Sequence, residues 1–366
     1  MESGTDATQD LSFFSSTSGT VASATDQFYT GSRSLKITTT SGSTSTVLKG
    51  GILNDTGRRI SLRFRFNALP AEDSSNFLHL RQADGTTAVA RLSVNLNGTL
   101  RITPVGATDV NGTAVLAAAT WYRIVLAYTI TNTTTFRFKV FVGGVSDIDT
   151  TAGTLTNTAT DSLQLRCDDQ WSITSNNIWF DDIYIDDGSD YSDPGDIRVT
   201  NKRAFANGTT NGFTTQIGAG GSGYGSGHAP QVNEQPLSVT NGWSHVVVSS
   251  AITEEYNVEG LGVGDIPIPS VVIDLMGWLY AKALIAETAQ IVLNGVNSSI
   301  SLTSTNTLFT KAAGSTASPA ETGTDIGIIT ATTATTVSLY ECGILVAYLS
   351  SIVPVLIRQY RERWTS

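Results

Sequence analysis

The 366-residue sequence predicts an all-β protein, a jelly-roll-type sandwich of antiparallel strands followed by a second, smaller β-sandwich. Three observations predict it. Apolar and polar residues alternate with period two in short runs, as in Ile60-Ser61-Leu62-Arg63-Phe64-Arg65-Phe66, which puts one side chain type on each face of a strand. Turn signals separate the runs, Asn97-Gly98 being the strongest. Thr, Ser, Gly and Asn take the place of the charged residues, which are only 15% of the chain, and these types suit exposed strand faces and tight turns.

In chain order, residues 1–10 are polar and read as an N-terminal arm. Ser34–Thr38 and Ile60–Phe66 are strands. Val89–Leu96 and Thr99–Thr103 form a hairpin about Asn97-Gly98, and Trp121–Ile130 and Thr135–Val142 form another about Asn132-Thr133-Thr134. Thr113–Ala119 is the one candidate for a helical turn. The organising stretch is 177–203. A strand, Ile178–Ile185, dissolves into a knot of Asp, Gly, Ser and Pro, and a fresh strand opens at Asp196-Ile197-Arg198-Val199-Thr200, as at a domain boundary. The division predicted is an arm at 1–10, a jelly roll at 11–187, a linker at 188–195, a β-sandwich assembly domain at 196–350 and a basic-aromatic tail at 351–366. In the second half, Ser270–Ile285 and Val337–Leu349 are the clearest strands. The Gly-rich run 218–227 lacks the strand and helix context of a phosphate-binding loop.

Composition excludes several classes. A net charge of −10 leaves no uniform footprint for nucleic acid, and no apolar run is long enough to suggest a membrane helix. The start lacks the basic and apolar regions of a secretion signal, so a soluble chain is expected. Cys167 and Cys342, the only cysteines, fall on opposite sides of the boundary and read as unpaired thiols. The three histidines have no Cys or Glu at ligand spacing, which gives zinc chemistry no support.

Gly31-Ser32-Arg33-Ser34-Leu35, the Ile60–Phe66 strand, Trp121–Leu126, Phe136–Gly144 and Trp179-Phe180-Asp181-Asp182-Ile183 together resemble a laminin-G/concanavalin A-like jelly roll over roughly residues 10–187. With the Gly195–Val199 opening, a Trp-bearing strand and the terminal Val337–Leu349 strand, the architecture is similar to tailed-bacteriophage virion proteins of the minor structural, head-fibre or tail type. That resemblance implies a virion location on head or tail, other virion proteins as partners, a homo-oligomer, and contact between the jelly roll and a host-surface glycan. The alternative is a secreted or surface carbohydrate-binding lectin or adhesin.

No catalytic residues are assigned, and a non-enzymatic protein is expected. A glycosidase needs two flanking carboxylates, whereas adjacent Asp181 and Asp182 on a strand would point to opposite faces. Trp171, with Asp168 and Asp169 in an expected loop, is the candidate for stacking on a sugar or docking to a partner. Asp186, Asp187 and Asp190 are dense enough to invite a calcium ion, the only cofactor considered, although a solvated acidic linker is the plainer account. Tyr360, Arg361, Arg363 and Trp364 have the residue types of an interface anchor and are assigned to assembly.

Overall fold

In the computed structural model all residues are described except 1–13, 31–32, 41, 54–56, 172–174, 187–189, 214, 218–241, 248–250, 259–269, 294–295, 306, 313–324, 331–334 and 351–366. The N-terminal arm, the Gly-rich run, Asp187, and Tyr360, Arg361, Arg363 and Trp364 of the tail therefore lie outside the described residues.

Two antiparallel seven-stranded sheets are built from residues 16–186. The front sheet holds β1 (Ser16–Ser18), β4 (Ser45–Lys49), β13 (Ser162–Cys167), β6 (Ser75–Arg81), β7 (Ala88–Val94), β8 (Thr99–Pro104) and β9 (Val110–Val115), in that spatial order. The back sheet holds β12 (Val145–Thr150), β11 (Phe136–Val142), β10 (Tyr122–Ile130), β5 (Arg58–Phe66), β14 (Ser175–Asp186), β3 (Ser34–Thr40) and β2 (Thr20–Ala24). Alternation does the sorting. Leu62, Phe64 and Phe66 of β5 point inward to meet Leu78, Leu80, Leu92 and Leu165 of the front sheet in one buried core. The Phe64 and Phe77 rings stack across the sandwich with centroids 4.1 Å apart. The hairpins predicted at Asn97-Gly98 and Asn132–Thr134 are present; Gly98 has φ +82°, and an added Cβ there would lie 2.4 Å from the Leu116 carbonyl oxygen.

No helical turn spans Thr113–Ala119: residues 113–115 end strand β9, where the Asp147 carboxylate accepts the Thr113 and Ala114 amides, and only 118–119 form a turn. The closing strand β14 lies in the middle of the back sheet, between β5 and β3.

A third sheet of ten strands comes from residues 197–350. Its spine is β24 (Thr335–Ser350), paired with β15 (Ile197–Asn211), β17 (Gly242–Val247) and β19 (Ser270–Ala283). β15 pairs with β24 in its first half and with β18 (Thr253–Val258) in its second, where the register breaks after Ala204 and after Asn207. Beyond β18 come β23 (Asp325–Ile329), β20 (Glu287–Leu293) and β21 (Val296–Leu302), while β16 (Thr215–Ile217) edges β17 and β22 (Thr307–Ala312) edges β19. Leu279, Ile344 and Val346 pack with Ile291, Leu293, Ile326 and Ile328 in a second core, so the hydrogen-bonded path folds back over itself. Gly277 permits this close approach: a Cβ there would stand 2.8 Å from the Ile326 side chain.

Candidate functional site: two arginine-bearing faces

The side chains singled out by the sequence are placed differently from expectation. Trp171 is not a surface platform. It sits at the end of a 3-10 turn (Asp169–Trp171), 1% exposed, packed against Phe64 and Phe66, with its indole N–H donating to the Asn76 carbonyl at 2.9 Å. Asp168 is also buried and accepts the Asn76 backbone and side-chain N–H groups, each at 2.9 Å; burial raises its pKa. Asp169 alone of the three is exposed.

Asp186 and Asp190 are held by an arginine. Arg59 Nε donates to Asp186 at 2.9 Å and Arg59 Nη1 to Asp190 at 2.6 Å. Among the described residues no group of three or more His, Cys, Asp or Glu side chains is placed to hold a metal ion. Both cysteines are buried, and burial raises the Cys167 pKa.

Asp181 and Asp182 also depart from the alternation rule. A bulge in β14 between Asp181 and Tyr184, with Asp182 at φ +46°, turns both carboxylates to the same loop. Asp181 accepts the Tyr29 and Thr30 amides at 2.7 and 3.1 Å, and Asp182 accepts the Thr30 hydroxyl at 2.9 Å. They form a buried pair after all.

The outward side chains of the front sheet form a constellation that no local motif announces. Cross-strand register lines up Gln164, His79, Arg91 and Thr103 in one row, on β13, β6, β7 and β8. Ser93, Arg101 and Asn111 form a second row, with Arg166 two residues along from Gln164 and Arg81 two along from His79. Because each residue sits on a paired strand, their spacing is fixed by the sheet and not by a loop.

His79 is 3% exposed, and two guanidinium groups approach its Nδ1: Arg81 Nη2 at 3.2 Å and Arg166 Nη1 at 3.5 Å. Guanidinium can only donate, so Nδ1 is the acceptor and the imidazole proton sits on Nε2. Burial, then the charges of Arg166, Arg81 and Arg91, push the His79 pKa down to about 2, so the ring is neutral. Arg81 Nε also donates to Gln164 at 2.9 Å. Arg101 pairs with Asp109, and Arg166 lies 3.8 Å from Asp168. Arg81 and Arg91, however, form no ion pair among the described residues. Burial and neighbouring arginines lower the pKa of both Arg81 and Arg166. The face thus gathers positive charge that aspartates on its flanks, Asp84, Asp109 and Asp168, offset only in part.

At the far end of the second row an open cleft of about 430 Å³ is lined by Asp73, Asn95, Leu96, Asn97, Arg101 and Asn111. Amide groups beside an exposed Leu96 give it both hydrogen-bonding and apolar surface. The row that carries Arg101 therefore leads from the arginine cluster into a polar recess.

The sequence reading passed over this set because each member is an ordinary outward residue of a strand. The available signal was that the outward positions of His79-Leu80-Arg81, Arg91, Arg101 and Gln164-Leu165-Arg166 repeat the same charge in a chain of net charge −10.

No protein-family model and no curated protein matches the sequence. Solved structures are similar to about half of the chain. An endo-β-1,4-glucuronan lyase from the fungus Trichoderma reesei shares 17% identity at TM-score 0.42, over 48% of this chain and 92% of that one. A cellulose induced protein, Cip1, shares 12% at TM-score 0.37, over 46% and 86%. The alginate lyase Aly36B shares 11% at TM-score 0.32, again over 46% and 86%. Likeness at these identities concerns fold alone. The expectation of a non-enzymatic protein is nevertheless corrected, because lyases stand among these neighbours. The want of a glycosidase motif in the sequence is no evidence against catalysis of another kind.

Proposed function

We propose that the jelly roll binds an acidic polysaccharide across the outer face of its front sheet. The observation that carries this is the arrangement of Arg81, Arg91 and Arg166 around a neutral, buried His79, with neither Arg81 nor Arg91 in a direct ion pair among the described residues. Clustered guanidinium groups repel one another, and an anion with planar carboxylate or similar oxygens relieves that repulsion while accepting paired N–H bonds. A chain of net charge −10 repels polyanions at long range, so the face supplies local attraction at one place only. The cleft beyond Arg101 extends the same surface toward groups that bond neutral hydroxyls.

The setting we propose is the surface of a bacteriophage virion, with the third sheet and tail as the assembly part and a host glycan as the polymer. Its support is the two-unit sequence resemblance.

Binding of an acidic polysaccharide and of its carboxyl-reduced counterpart, followed by calorimetry at low and high salt, tests the reading. Binding of the acidic form that weakens with salt is expected. Equal binding of both forms, or of neither, overturns it. Polymer length after incubation reports whether binding is accompanied by cleavage.

A further inference from the structure

The cleft beyond Arg101 has its polar groups aimed by the backbone. The Ser74 amide donates to Asn95 Oδ1 at 3.3 Å, which turns Asn95 Nδ2 toward Thr99 Oγ1 at 3.0 Å and Asn111 Oδ1 at 3.1 Å. The Thr99 amide and hydroxyl both donate to Asn97 Oδ1, at 3.0 and 2.8 Å. The oxygen ends of Asn97 and Asn111 are thereby taken. Their Nδ2 groups remain as donors with no partner among the described residues. The Leu96 amide donates to Asp73 Oδ1 at 2.9 Å and leaves Asp73 Oδ2 as an acceptor in the same position. Leu96, between the two asparagines in the chain, is 49% exposed.

One recess thus offers two amide donors, one carboxylate oxygen and one isobutyl group. An acetamido group uses all of them. Its carbonyl oxygen has two lone pairs for Asn97 and Asn111, its N–H donates to Asp73, and its methyl covers Leu96. A hydroxyl in its place leaves Leu96 bare to water. A carboxylate in its place has no proton to give Asp73 and is repelled by its charge. Arg101 also lines the cleft but is already paired with Asp109, so no unpaired cation draws an acid there.

The arginine cluster lies close by. Arg91 on β7 is two residues along from Ser93, which is in register with Arg101 and, through it, with Asn111 on β9. Two strand spacings across and two residues along make a separation on the order of 10 Å. Acidic and neutral recognition therefore fall on neighbouring units of one polymer. Resting on the acidic-polysaccharide reading of this face, we infer that the cleft is a subsite for an N-acylated amino sugar, and that the polymer joins such sugars to uronic acid units.

Calorimetry on the full chain compares two unsulfated polymers of equal length, one alternating glucuronate with N-acetylglucosamine, the other glucuronate alone. The second carries more charge, so general attraction to the arginines favours it. The cleft is expected to reverse that order. The alternating polymer should bind about tenfold more tightly, the effect of one hydrogen bond and one buried methyl group. Leu96→Ser and Asp73→Ala are each expected to erase most of the preference. Saturation transfer from the unmodified protein to an oligosaccharide of the alternating polymer, read by NMR, should be strongest at the acetamido methyl. Equal affinity for the two polymers overturns the subsite while leaving the arginine face as a binding surface. A preference that survives either substitution, or an acetamido methyl that stays unsaturated, overturns it too. Absence of binding by both polymers overturns the face and the subsite together.

Discussion

The two outer faces of the jelly roll are both rich in arginine, and they differ in where the matching carboxylates are. On the back sheet Arg59, Arg63 and Arg123 each meet an aspartate within or just beyond the closing strand. On the front sheet Arg81 and Arg91 form no direct ion pair among the described residues, and Asp84 acts on Arg81 only at longer range. The comparison teaches that arginine content by itself does not mark a binding face. A back-sheet arginine satisfied within the chain orders a linker, whereas a front-sheet cluster compensated only in part keeps charge for something else.

The largest effect expected concerns what the faces share. Trp171→Ala should cost about 4 kcal/mol of stability by emptying the core beneath both sheets. Chemical denaturation measures it, and polymer affinity per folded molecule should be unchanged. A selective loss of affinity would restore Trp171 as a contact residue. Next, Arg81→Ala with Arg91→Ala should weaken binding of an acidic polysaccharide about a hundredfold, two charge-assisted contacts at about 1.5 kcal/mol each. Calorimetry checks this, and denaturation should show a loss of about 1 kcal/mol, because Arg81 Nε no longer donates to the buried Gln164. Arg123→Ala should do the reverse, costing about 2 kcal/mol because Asp193 is left partly buried without its partner, with affinity unchanged.

The smallest effect is in acid. The His79 pKa is depressed by burial and three arginines, so the unfolded chain takes up a proton near the ordinary histidine value while the folded chain does not. Stability should therefore decline as pH falls from about 6.5 toward 2, by on the order of 2 kcal/mol at about pH 4.5. In His79→Gln the decline over that interval should be shallower, as measured by urea midpoints.

How much of this was legible beforehand depended on whether the cause was local. Ile60–Phe66 announced its strand because seven alternating residues fix which side is buried, and Asn97-Gly98 announced its turn because the left-handed backbone there favours glycine. Trp171 was misplaced because a polar flank, Asp168-Asp169-Gln170, looks like a surface loop; nothing local says that Asn76, 95 residues earlier, accepts its indole N–H. The bulge that brings Asp181 and Asp182 together breaks the very periodicity used to separate them. The front-face cluster was invisible for a related reason. His79, Arg91, Arg101 and Arg166 become neighbours only through pairing register across four strands.

The most direct test of the central claim is the imidazole spectrum of His79 during titration with an acidic polysaccharide. With only three histidines in the sequence its signals can be assigned by substitution. An anion seated among Arg81, Arg91 and Arg166 should offset the charges that depress the ring's pKa, moving it upward, and the Arg81→Ala/Arg91→Ala variant should lose the polymer-dependent shift. Saturable binding that leaves the His79 signals and pKa untouched would place the polymer elsewhere and contradict the account.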